Sequence, residues 1–162
     1  MDSVDDPDGD GRDETSAERS DRNWYEILQE LRVTQTGTQI ITGFLLALAF
    51  QNRFTELVGY QVTIYLVLVG LAAVSTALGL APVSLHRWLF RRHVKERMVV
   101  IGNGILRATL IAVGTLVVGV VLFIFDVVVG TVAGVVAGVV ALVVIAGMWG
   151  LTPLIVRRIR SR

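Results

Sequence analysis

The chain has 162 residues, 53% of them hydrophobic, with a formal net charge of +1 and a mean hydropathy of +0.64. This is too apolar for an ordinary soluble domain, and the length allows one compact unit. Cysteine is absent, which excludes disulfides, thiolate metal sites and cysteine nucleophiles together.

Residues 1–22 carry nine acids against Arg12, Arg19 and Arg22, spaced by Gly, Ser and Pro with almost nothing apolar. Such a segment cannot bury enough surface to fold alone, so a disordered, solvated acidic tail is expected. The acidic start, with an apolar run beginning only near residue 40, does not read as a cleavable signal peptide. Lys95 is the only lysine. The preference for Arg and Asp suits the composition of a high-salt cytoplasm, where acidic surfaces stay hydrated.

Next comes NWYEILQELRV, which places Trp24, Ile27, Leu28 and Leu31 on one helical face. An amphipathic interfacial helix over 23–34 is expected, lying at the membrane surface with Trp24, Tyr25 and Trp88 at headgroup level.

Four transmembrane helices follow, at about 35–51, 62–81, 103–125 and 128–151, each close to the roughly 20 apolar residues that a span requires. Residues 108–151 as one helix would reach roughly 66 Å, about twice a bilayer core. The run must therefore turn, and Asp126 with Gly130 supplies the only turn chemistry, Asp126 capping the fourth helix. The expected fold class is all-α, a four-helix transmembrane bundle over 35–156 with a basic tail at 157–162. Arg87, Arg91, Arg92, Lys95 and Arg97 fall between spans two and three. Arg157, Arg158, Arg160 and Arg162 follow span four, whereas the two opposite connections hold only Arg53. Both termini are thus expected in the cytoplasm, in a multi-pass cell-membrane protein.

The first span opens with polar residues. Gln35, Thr38, Gln39 and Thr42 form one stripe at helical spacing and should face the bundle, because amides and hydroxyls in lipid must find partners. Glu30, Arg32, His86, Arg87, Asn103 and Arg107 belong to the same cytoplasmic end. Together with Gln35 and Gln39 they can form a polar cluster at the inner ends of three helices. Its readings are local snorkelling, a structural network, or an entry site for a substrate or proton.

In the fourth span Gly130, Gly134 and Gly138 recur every four residues, with Ala133, Ala137 and Ala141 beside them. Small side chains in one stripe let helix backbones approach closely. Gly104, Ala108, Ala112, Thr115 and Gly119 form a similar stripe in the third span, and Ala73, Ala77 and Ala81 in the second. The pattern fits packing within one bundle or a homo-oligomer seam, and does not say whose helix is contacted.

Chemical motifs are lacking. HExxH, GxxxxGK and GxSxG are absent, and GNGILR at 102–107 puts Arg107 where a dinucleotide fingerprint needs glycine. His86 and His93 have no nearby acid or thiol to complete a metal site. The arginines of 87–97 are tied to the bilayer at both ends. They suit anionic lipid headgroups better than nucleic acid. No cofactor, metal or catalytic residue is expected, and the chain does not read as an enzyme.

LQELRVTQTGTQIITGFLLALAFQNRF, APVSLHRWLFRR and FDVVVG resemble recurring blocks of an uncharacterised family of small four-span membrane proteins, frequent in actinobacteria and present in halophilic archaea. The similarity covers about residues 23–150. Its most specific part is the block of Glu30, Arg32, Val33, Gln35, Thr36, Gly37 and Gln39. The long acidic tail and the valine- and glycine-rich fourth span depart from the pattern. Some members of that family carry a sodium:proton antiporter label, so the resemblance implies that activity as an alternative. The residues themselves favour a non-enzymatic protein that packs, oligomerises or binds a partner. A proton-coupled exchanger needs a titratable group inside the membrane, and every Asp and Glu is expected outside the span interiors.

Overall fold

A computed structural model describes the backbone of residues 15–89 and 95–160. Side chains are described for 15, 18–82 and 99–151. Residues 1–14 of the expected acidic tail, His93, and the side chains of Trp88 and of the basic segments at 87–97 and 157–162 lie outside that description.

The described residues form four long helices and no strand: α1 (Ser16–Leu48), α2 (Gly59–Leu89), α3 (Lys95–Val128) and α4 (Thr131–Arg160). A short 3-10 helix, Asn52–Glu56, lies between α1 and α2.

α1 starts earlier than the sequence suggests and ends at Leu48, three residues before the expected end of the first span. Thr15 and Glu18 form a reciprocal capping box, each bonding the other's backbone N–H, and this satisfies two of the N–H groups a helix start leaves orphaned. Residues 16–22 are therefore helical, where an unstructured tail was expected. The expected boundary between an interfacial helix and a first span is likewise missing, because α1 is continuous through both.

Its buried residues explain this. Trp24, Leu31, Thr38 and Leu45 are all buried and stand seven residues apart, with Ile27 beside them. A seven-residue repeat keeps one stripe of a helix on one partner. The amphipathic face of 24–31 is thus spent on α3 and not on a membrane surface. Ile27 and Leu31 pack with Leu106, and Trp24, 7% exposed, closes on Gly102.

α2 repeats the pattern, with Tyr65, Leu68, Ala72, Ser75, Gly79 and Pro82 buried at alternating three- and four-residue steps. The second span is expected to end at residue 81, just before Pro82, but α2 continues to Leu89. The ring removes the bond to the Leu78 carbonyl, and its complete burial shows that packing holds the helix through this gap. On α3 the repeat is Gly102, Thr109, Leu116 and Phe123.

α1 and α3 run parallel, and α2 runs antiparallel to both. Gln35 meets Gly79 and Leu68 meets Gly119. Leu45, Tyr65, Leu68, Ala72, Leu116 and Phe123 make the main core. Tyr65 anchors it by donating to the Leu45 carbonyl at 3.0 Å and meeting the Phe54 ring edge-on at 4.9 Å.

The bundle is not a closed ring of four. α1, α2 and α3 pack on one another, whereas α4 packs on α3. α3 and α4 form a hairpin through Val129 and Gly130. Gly130 takes φ +127°, open to glycine at little cost, and the Phe125 carbonyl accepts from both turn N–H groups. Among the described residues three helical segments are long and apolar enough to cross a membrane: Gly59–Pro82, Val99–Val128 and Thr131–Leu151. α1 is not among them, because Gln35–Thr42 lowers its hydropathy.

Candidate functional site

The expected inner cluster falls only partly within the described side chains. Glu30, Arg32, Gln39, Asn103 and Arg107 are all exposed, and Gln35 is half-buried. The Gln35 chain lies in ordinary contact with Gly79, 3.6 Å from the position a β-carbon would take there. His86 and Arg87 belong to the final turns of α2, where only the backbone is described.

The threonines account for the rest of the polar stretch. The hydroxyls of Thr34, Thr36, Thr38 and Thr42 donate to the carbonyls of Glu30, Arg32, Thr34 and Thr38, at 2.8–3.0 Å. Each hydroxyl is satisfied inside its own helix. Thr38 can therefore occupy a buried core position, at 2% exposure, without a partner on another helix. Ser75 and Thr109 do the same on α2 and α3. Much of this polarity is thus helix packing by small residues.

The site that does converge lies at the other end of the bundle. Asp126 is 5% exposed and belongs to the last turn of α3, not to a surface turn. Tyr60, in the first turn of α2, brings its hydroxyl within 3.0 and 3.2 Å of the two carboxylate oxygens. Gln61 donates to Oδ2 at 2.8 Å. The Gln61 amide is oriented by the Val58 N–H, which donates to Gln61 Oε1 at 3.1 Å and so turns the NH₂ towards Asp126. Thr131, the first residue of α4, lies 3.1 Å from the Tyr60 hydroxyl. Because Tyr60 has one proton and directs it to Asp126, Thr131 serves as donor to Tyr60.

The electrostatics are those of three helix ends. A carboxylate at the C-terminal end of α3 opposes that helix's own dipole. The N-terminal ends of α2 and α4, each carrying partial positive charge, face it and compensate. Neutral donors complete the shell, and charge-assisted bonds of this kind are about twice as strong as neutral ones. Asp126 thus joins three helices through the side chains of Tyr60, Gln61 and Thr131.

The glycine stripe serves the same junction. A β-carbon on Gly134 would lie 2.8 Å from Asp126 Cβ and 2.9 Å from both the Asp126 nitrogen and the Leu122 oxygen. Gly138 faces Leu122, while Gly130 is the turn residue with nothing within 4 Å. The stripe on α4 therefore meets Leu122 and Asp126 and not the small residues of α3. Gly119, from that α3 stripe, faces Leu68 of α2. Ala133, Ala137 and Ala141 line an open apolar groove with Val121 and Phe125.

Tyr60 and Gln61 were not singled out from sequence. The available signal was two hydrogen-bonding side chains at the start of an otherwise apolar helix, opposite a lone acid in another. Among the described residues no group of three or more His, Cys, Asp or Glu could hold a metal ion.

Comparison with curated proteins and with solved structures gives no match. A family model described as a family of unknown function (DUF6328) matches residues 13–153. That match covers most of the molecule, Asp126 and the threonine-rich stretch included, and the chain belongs to this family of unknown function.

Proposed function

We propose that the chain is a four-span, non-enzymatic integral membrane protein that serves as a packing or partner-binding element, with both termini in the cytoplasm. The observation that carries this reading is how polarity is distributed. Buried Thr38, Ser75, Thr109 and Asp126 have their hydrogen bonds met within the fold. The outward faces are apolar, with Val132, Val135, Val139, Val143 and Leu151 among the many exposed large residues. In water such a surface is untenable, and in lipid it is the required one.

α1 is too polar to qualify as a span by composition, but it lies beside α2 and α3 from Trp24 to Leu45. A bilayer surrounding those two helices surrounds α1 as well. Along α3 the 19 residues from Arg107 to Asp126 rise about 28 Å, near the thickness of a hydrocarbon core. This puts Asp126 near one boundary when Arg107 is near the other. Arg107 then lies at the level of anionic lipid phosphates.

Cysteines introduced at Thr55 and Arg160 test the topology, since the chain has none of its own. Residue 55 labels from outside and residue 160 only from inside, and outside labelling at 160 overturns the four-span arrangement.

A second reading, a small sodium:proton antiporter, draws on one observation: Asp126 is a buried carboxylate within an apolar segment. Its oxygens are already engaged by fixed donors, which favours a junction over a transport site. Purified protein in liposomes is expected to carry no proton flux under a sodium or potassium gradient. Flux abolished by Asp126→Asn would establish the transport reading instead.

A further inference from the structure

We propose that Asp126 is a proton-operated latch, closed when ionised, that fastens the first turn of α2 to the turn of the α3–α4 hairpin. Elsewhere α4 packs on α3. The polar junction is what joins α4 to α2, through Thr131, Tyr60 and Asp126. The lone carboxylate holds donors from two other helices at once, so the junction depends on its protonation state.

The ionised form offers two charged oxygens to Tyr60 and Gln61. When a proton from solvent binds Oδ1 or Oδ2, that oxygen becomes a donor, and Tyr60 and Gln61 are left to share the one neutral carbonyl oxygen that remains. The charge that the helix N-termini of α2 and α4 stabilised is gone, and each remaining bond is neutral. No other bond is made or broken, and the proton returns to solvent on re-ionisation.

The surroundings leave Asp126 as the group that controls the junction. Tyr60 is the titratable side chain facing it from α2. α4 contributes none between Thr131 and Leu151, and the nearest charged side chain on α3 is Arg107, about five turns away. In the preceding connection Arg53 and Glu56 are exposed and pair with each other at 3.8 Å. The hinge for release is at hand, since Gly130 has positive φ and open space around it.

The test uses spin labels on introduced cysteines at Gly59 and Val132, two exposed positions, in the full chain in lipid nanodiscs. The distance distribution is measured from neutral to acidic pH. The wild-type residues at 60, 61, 126 and 131 should give a narrow distribution at neutral pH that broadens reversibly in acid. Asp126→Asn should show the broad distribution at every pH. Tyr60→Phe, which keeps the ring and loses only the hydroxyl, should broaden it already at neutral pH. A pH-invariant distance in the parent protein overturns the latch, as does an undiminished acid response in Asp126→Asn. If Asp126→Asn does not fold, Tyr60→Phe decides, and a narrow neutral distribution there rules the latch out.

Discussion

Gly134→Ala isolates the closest approach between α3 and α4. The added β-carbon meets Asp126 Cβ at 2.8 Å, the Asp126 nitrogen at 2.9 Å and the Leu122 oxygen at 2.9 Å. Two of these atoms are backbone and the third is fixed to it, so no side chain can rotate away and the helices must separate. Overpacking of this kind costs about 1–3 kcal/mol, offset by at most about 1 kcal/mol of helix propensity gained in replacing glycine. The expected net loss is about 1–2 kcal/mol for alanine and more for leucine. Gly119→Ala provides the contrast. Its β-carbon comes within 2.5 Å of an atom, but that atom is the tip of the Leu68 side chain, which can move, so the cost should be smaller despite the shorter distance. Gly147→Ala, with nothing within 4 Å, should be neutral or slightly stabilising. Thermal unfolding in one detergent, followed by circular dichroism, measures all three. Equal melting temperatures for Gly134→Ala and Gly147→Ala would refute the close approach.

Tyr65→Phe removes the donor to the buried Leu45 carbonyl at the end of α1 and should cost about 1 kcal/mol, seen as a lower melting temperature. An unchanged value would mean that the carbonyl finds another donor. Gln39→Leu exchanges an exposed amide for an apolar group of similar size and should leave stability unchanged or raised in detergent; marked destabilisation would show that the amide has a partner. The Thr15 N–H and then its hydroxyl, both bonding the Glu18 carboxylate, hold that group below the usual carboxylate range. The capping box therefore stabilises the start of α1 at neutral pH, and this is lost as pH falls through the carboxylate range. Protection against amide exchange at residues 16–19, taken relative to the intrinsic rate at each pH, should fall in acid, and a Glu18→Gln variant should lack that step.

The helices themselves were legible from apolar run lengths, and the turn at Gly130 from the excess length of 108–151. Helix ends were less so. The capping box at Thr15 and Glu18 lies inside a stretch whose acidity reads as disorder, and composition outweighed a four-residue signal. The amphipathic face at Trp24 was visible, but periodicity alone does not distinguish a membrane surface from another helix. Gln35 and Gln39 drew attention by being polar in an apolar setting, whereas the threonines around them satisfy themselves through the preceding turn. The Asp126 junction was the least legible feature. Tyr60 and Gln61 stand about 65 residues before it, and nothing in the local pattern of either segment names the other.

The two-residue connection between α3 and α4 constrains how the chain can be threaded during synthesis. In the four-span arrangement proposed above, Val129 and Gly130 leave no slack, so the two helices would enter a bilayer as one folded-back pair and neither could invert alone. The ends at Lys95 and Arg160 are consequently bound to the same side, and moving charge from one to the other leaves the total that orients the pair unchanged. A variant that lengthens this turn by a flexible insert would uncouple them, giving two independently oriented segments where the native chain has one.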